Sequence, residues 1–104
     1  MIARMWRGVT RAEDAHAYAE YMGGSGGQAL ARTPGNRGVY MLRRIVGESA
    51  EFVMISLWDS EDAIRAFAGD DISAAVFFPD DDRYLTDRER TVSHYEVVET
   101  RGLA

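Results

Sequence analysis

The sequence predicts an α+β sandwich, a four-stranded antiparallel sheet with two helices packed on one face. Three observations predict it. Alternating, strand-forming runs open and close the chain, at Ile2–Thr10 and Thr91–Glu99. Two further runs, Arg37–Val46 and Glu51–Trp58, flank a Gly-Glu-Ser-Ala connection that reads as a hairpin turn. Between the strands lie two stretches with helical periodicity: Ala15, Tyr18, Ala19 and Met22 in the first, and Ala63, Ile64 and Phe67 in the second.

Each element has a local cause. Thr10 followed three residues later by Glu13 has the spacing of a capping box, so a helix is expected from Arg11 to about Met22. The stretch YMGGSGGQAL, residues 21–30, then places four glycines in five positions. Each glycine costs a helix interior about 1 kcal/mol relative to alanine, so Gly23–Gly27 should stop the helix. Gln28–Arg32 can form another turn. The glycines do not read as a nucleotide loop, because a helix precedes them and no Lys-Ser/Thr pair follows. They read as a helix break beside a cavity, where a lip can move.

Thr33-Pro34-Gly35-Asn36 has proline and glycine at the two central positions of a type II turn. Asp59 or Ser60 caps the second helix, which Gly69 ends after Ala68. Asp71–Phe78 is a short apolar segment stopped by Pro79. Asp80–Arg90 is polar and expected to be irregular or weakly helical. The order is β-α-β-β-α-β, the ferredoxin-like plan. One domain is expected over residues 1–99, with a C-terminal tail over 100–104.

Composition narrows the function. The absence of cysteine removes disulfides, thiolate nucleophiles and thiolate metal sites. The net charge is −5 and all twelve cationic residues are arginines, scattered along the chain. That pattern argues against nucleic acid as a partner. Nothing approaches the roughly 20 apolar residues of a membrane-spanning helix, so no membrane partner is expected and a cytoplasmic location is. Asp80-Asp81-Asp82 lacks the alternation and the glycine of a calcium loop and reads as a solvated acidic turn. No metal site is expected.

Strand three separates into two sets, Val53, Ile55 and Leu57 against Phe52, Met54, Ser56 and Trp58. The aliphatic set is expected under the helices. The second set, with Arg4 and Trp6 from strand one, is expected on the free face, where a homodimer would cover it and enclose a cavity. Trp6, Tyr40, Trp58 and the Phe77-Phe78 pair suit a flat aromatic ligand, though ordinary packing explains them as well. His94, mid-strand with Glu96 on the same face, suits proton transfer or a structural hydrogen bond. Arg4 calls for a partner, Glu96 or the phenolate or carboxylate of a ligand. His16 lies on the polar side of its helix and is expected to be solvated.

With these residues in hand, the chain resembles the antibiotic biosynthesis monooxygenase-like family of dimeric α/β barrels over roughly residues 1–99. The resemblance rests on MIARMWRG, TPGNRGVYMLRR, FVMISLWDSEDAIRAF and TVSHYEVVE. It implies a homodimer with a cavity between sheet and helices, and a monooxygenase that needs no cofactor. The substrate would be a small electron-rich aromatic of polyketide type. On that reading Trp6, Tyr40, Met54, Ser56, Trp58 and Phe77 bind the substrate, His94 is the base and Arg4 stabilises developing negative charge. A non-catalytic binding protein and a redox-neutral cyclase or isomerase of the same fold stay open as alternatives. The haem-degrading branch of the family takes its iron-ligating histidine from the segment after the second helix. Here that segment reads DISAAVFFPDDD and contains none, although Trp58 matches a tryptophan that the branch keeps.

Overall fold

A computed structural model describes residues 1–102. Strands β1 (Ile2–Arg11), β2 (Asn36–Val46) and β3 (Ser49–Trp58) form the body of an antiparallel sheet ordered β2-β3-β1-β4. Strands β4 (Leu85–Arg88) and β5 (Ser93–Glu96) both pair with β1, β4 near its end and β5 near its start. Helices α1 (Ala15–Gly24), α2 (Gly26–Arg32), α3 (Glu61–Ala68) and the single turn α4 (Asp81–Tyr84) complete the fold. This is the ferredoxin-like α+β arrangement, with the sheet position beside β1 divided between β5, inside the expected fourth strand, and β4, in the segment expected to be irregular.

The division has a physical cause. Between β4 and β5 the chain leaves β1 for another partner. Ala75 N–H donates to the Arg90 carbonyl and Val92 N–H to the Ser73 carbonyl, at 2.9 and 2.8 Å. Trp6 Nε1 donates to the Glu89 carbonyl at 2.7 Å and holds the departure point. Asp80–Arg90, expected to be irregular, thus holds both α4 and β4.

The expected capping box does not form. β1 continues through Arg11, a 3₁₀ turn follows over Ala12–Asp14, and Thr10 Oγ1 donates to the Arg11 carbonyl instead. Thr10 lies in the β1–β3 ladder opposite Ala50, and the ladder outcompetes the cap. The glycine break is narrower than expected. Gly23 and Gly24 are helical, and only Ser25 leaves the helical region, at φ −118° and ψ −84°. The Thr33–Asn36 turn forms as read. Gly35 has φ +89°, and a β-carbon there would lie 2.5 Å from that of Ala63, so glycine also lets the turn sit against α3. Ser60 caps α3 by accepting the Ala63 N–H at 3.1 Å. Of the expected tail, residues 100–102 carry no helix or strand, and 103 and 104 lie outside the described residues.

The two faces of β3 are reversed from the expectation. Phe52, Met54, Ser56 and Trp58 are buried under the helices, while Val53, Ile55 and Leu57 lie on the other face. Alternation separates two sets of side chains but does not say which one is covered. Here the helices bring Tyr18 and Met22 from α1 and Ile64 from α3 against the sheet, and large side chains from both layers interlock between them. Tyr18 meets the Phe52 ring edge-on at 4.9 Å, and Trp58 lies 6.0 Å from the Phe67 ring.

Candidate functional site

The same register that buries Met54 and Trp58 carries β1's Arg4 and Trp6 to the covered face, opposite Ser56 and Met54 respectively. These four residues, Arg4, Trp6, Met54 and Ser56, form the floor of a cavity of about 50 Å³ between sheet and helices. Met22, Gly26 and Leu30 close it from α1 and α2, and Val76 and Phe78 close it from the segment after α3. The cavity therefore lies on the helix side of the sheet and within one chain.

Arg4 is the unusual member. It is 5% exposed, and no carboxylate forms an ion pair with it among the described residues. Its Nη1 donates to the Ile72 carbonyl and, at 3.2 Å, to His94 Nε2, and its Nη2 donates to the Ala74 carbonyl at 2.9 Å. A guanidinium carries five N–H groups and no acceptor. Two of the five have no protein partner among the described residues. Burial pulls the pKa of Arg4 below its ordinary value, yet arginine keeps its charge. The expected partner, Glu96, is exposed on β5 and pairs in register with Ile2, not with Arg4.

Since arginine can only donate, His94 Nε2 must be the accepting, unprotonated nitrogen, with the ring proton on Nδ1. Burial and the adjacent Arg4 charge both hold the imidazole pKa below its ordinary value. His94 is thus neutral near pH 7, and it sits behind Arg4 rather than on the cavity wall.

Trp58 lies beneath the floor, fully buried, and its Nε1 donates to Ser56 Oγ at 2.8 Å. That bond sets the direction of the Ser56 hydroxyl. Phe77 is half-buried between the Trp6 ring, edge-on at 6.3 Å, and the Arg88 guanidinium at 4.8 Å. Its neighbour Phe78 is the one that lines the cavity. Tyr40 pairs with Ile55 and lies on the opposite face of the sheet, 47% exposed. His16 is exposed on α1 beside Glu20.

Asp81 was expected in a solvated acidic turn and is instead 2% exposed. Its Oδ2 accepts the Phe78 N–H at 2.6 Å, which fixes the turn that carries Phe77 and Phe78. Its Oδ1 and the Tyr18 hydroxyl are buried close to one another and have no other partner among the described residues. The carboxylate is near enough for its charge, after burial, to push the Tyr18 phenol up. The sequence carried one signal for this: an aspartate three residues after an aromatic and two after a proline can accept a turn N–H.

Burial also raises the pKa of Asp81 itself, against the opposing pull of the Phe78 N–H and Arg88. A carboxylate whose folded pKa is raised gives stability that is fully present below its unfolded value and lost as pH rises through the folded value. Asp81→Asn keeps an acceptor for Phe78 and removes the buried charge. It should therefore raise the thermal midpoint at neutral pH, and the gain should vanish in acid below the ordinary aspartate range. A midpoint difference independent of pH would show that the charge is not the cause.

The site's geometry can be set beside known proteins. The sequence profile of the antibiotic biosynthesis monooxygenase family matches residues 1–76. The chain belongs to that family. Its fold is shared with a candidate antibiotic biosynthesis monooxygenase from Bacillus cereus, at 16% identity and a TM-score of 0.68, covering 98% of this chain and 97% of that one. It is also similar to the haem-degrading protein MhuD of Mycobacterium tuberculosis, solved with two haems in its active site. That match has 21% identity, a TM-score of 0.61, and coverage of 98% of this chain and 100% of the other. The comparison with curated proteins found no match. Family membership makes haem worth testing against the residues present. No histidine lines the cavity of this family member, and among the described residues no cluster of histidine and carboxylate groups suits a metal ion. The donor set does not fit a histidine-ligated haem.

Proposed function

We propose that this family member is a small cofactor-independent monooxygenase that binds an aromatic, polyketide-like substrate as its anion in the cavity between sheet and helices. The observation that carries the reading is Arg4, a buried cation that among the described residues has no carboxylate partner and two unused N–H groups, in an apolar aromatic surround. A buried charge is costly unless something compensates it, and the missing compensation is an anion. A carbon acid of the anthrone type whose carbonyl oxygen sits beside Arg4 loses its CH₂ proton more readily, because the guanidinium stabilises the enolate.

The electron balance needs no further reductant. The substrate's CH₂ group becomes a carbonyl and gives up four electrons. O₂ takes them, one oxygen atom entering the product and the other leaving as water. The chain's part is to bind the flat substrate, steady its anion and accept a proton. His94 is the base in this reading, since the neutral imidazole is the form that accepts. Its Nε2 becomes free to take the proton when the carbonyl oxygen of the neutral substrate accepts the Arg4 N–H in its place.

The test is oxygen uptake by metal-free protein with a panel of anthrone- and quinol-like substrates. Wild type should exceed background, and His94→Ala should lose roughly 10²–10⁴-fold, the range for a positioned base. Because the pKa of His94 is lowered, activity should stay flat through pH 7 and fall only below the ordinary histidine range. The commitment of Nε2 to Arg4 also favours a second reading, a binding protein without catalysis. Tight binding with no uptake across the panel would decide for it.

The homodimer belongs to the same reading. On the face away from the helices, Ile55 lies between Met5 and Tyr40, with Leu42 and Val53 beside them. Tyr40 and Leu42 are each 47% exposed. An uncovered apolar face of this kind suits a second copy of the chain. Light scattering should give twice the chain mass for wild type and the chain mass for Ile55→Asp. A monomeric wild type at micromolar concentration would rule the dimer out.

A further inference from the structure

The cavity at rest is too small for the substrate class proposed above. Ligand pockets run to roughly 300–1,000 Å³, and this one has about 50 Å³, so a wall has to move. The floor is held by the long β1–β3 ladder. Ile64 and Phe67 anchor α3 against the core. Phe78 is held by its own turn, in which Asp81 accepts the Phe78 N–H and returns its own N–H to the Phe78 carbonyl. The neighbouring Asp80 N–H donates to the Tyr21 hydroxyl at 3.0 Å, tying that turn to α1. The remaining wall is α2, which keeps Leu30 in the core and packs on β2 but is joined to α1 through the non-helical Ser25.

The seam between α2 and the wall that carries Phe78 runs at Gly26. A β-carbon on Gly26 would stand 3.2 Å from the Phe78 ring and 3.0 Å from the Met22 methyl, tighter than ordinary contact. Gly26 is buried and lines the cavity. Gly23 and Gly24, three and two residues earlier, are exposed, and a β-carbon on either would meet nothing. The two pairs of glycines are therefore not equivalent.

We propose that Gly26 and Phe78 together set the size limit of the cavity, with Gly26 the specificity-determining residue and the Gly26–Phe78 seam the place where a bulky aromatic anion is admitted. The absent side chain leaves room that the ligand takes when α2 swings about Ser25. This inference rests on the cavity being the ligand site.

The test is fluorescence titration with anilinonaphthalene sulfonate, an aromatic anion, on the full chain, with circular dichroism to confirm folding. Gly26→Leu should weaken binding by at least about tenfold, the scale of an added methylene in a filled pocket. Gly26→Ala should weaken it less, and Gly23→Ala should leave it unchanged. Phe78→Ala combined with Gly26→Leu should restore affinity, because the volume added is the volume removed. Wild-type binding by folded Gly26→Leu, or no recovery in the double variant, would overturn the proposal. Arg4→Gln separates this from the functional reading. If Arg4→Gln leaves binding intact while the Gly26 series behaves as described, the size limit stands and the anion site falls. If Arg4→Gln weakens binding and Gly26→Leu does not, the size limit alone falls.

Discussion

Trp58→Ala should lower stability by about 3–5 kcal/mol, the range for deleting a buried large aromatic. The indole is fully buried, lies against Phe67 and donates from within the core to Ser56. Its removal leaves a cavity under the floor of the site and a buried serine hydroxyl without its donor. Small domains are stable by only about 5–15 kcal/mol, so a large share of the margin disappears. For a chain of this size the thermal midpoint should fall by roughly 15–30 °C. Trp58→Phe should cost far less in packing but still leave Ser56 unpaired, about 1–3 kcal/mol. Urea unfolding checks both. A loss under about 1 kcal/mol for Trp58→Ala would mean that the floor relaxes freely, contrary to the packing described.

Arg4→Gln should abolish most of the ligand-dependent activity, by roughly 10²–10³-fold, the loss seen when a stabilising donor is removed from a site that develops negative charge. The structural role of Arg4 is separable. Its bonds to the Ile72 and Ala74 carbonyls tie β1 to the segment that carries Val76 and Phe78. Arg4→Lys keeps the charge and loses the fork, so it should bind the anion more weakly while retaining part of the activity. Steady-state kinetics on the three proteins distinguishes the roles. If Arg4→Gln and Arg4→Lys lose equally while both stay folded, the fork geometry matters rather than the charge. If neither loses, Arg4 is only a tie between β1 and the 72–74 segment.

The fold was largely legible because its signals are local. The Pro-Gly turn at 33–36, the cap at Ser60 and the stop at Gly69 each rest on one or two residues whose backbone chemistry permits little else. What the sequence hid depends on partners far along the chain. Thr10 and Glu13 have the spacing of a cap, but β3 takes Thr10 into the sheet. Both sets of β3 are apolar, so alternation alone does not say which one is covered; that is set by tertiary partners such as Tyr18, which packs on Phe52 from far along the chain. β4 was missed because its four residues hold together by pairing with β1 rather than by their own alternation.

The site divides in the same way. Arg4, Trp6, Met54 and Ser56 were expected to share a face and to meet a cavity, and they do, though on the helix side of the sheet. Tyr40 does not join them. Asp81, Gly26 and Phe78 acquire their roles only through the turn that buries Asp81 against Tyr18 and brings Phe78 against α2.

The central claim is that Arg4 stabilises an anion in this cavity, and a phenolic ligand with a visible ionisation band reports on it directly. Its absorbance is titrated against pH, free and bound, with wild type and with Arg4→Gln. The account predicts that binding to wild type lowers the ligand's pKa by one unit or more, each unit about 1.4 kcal/mol of preference for the anion, and that Arg4→Gln removes the shift. A ligand that titrates in the wild-type cavity as it does in water, or at higher pH, would contradict it.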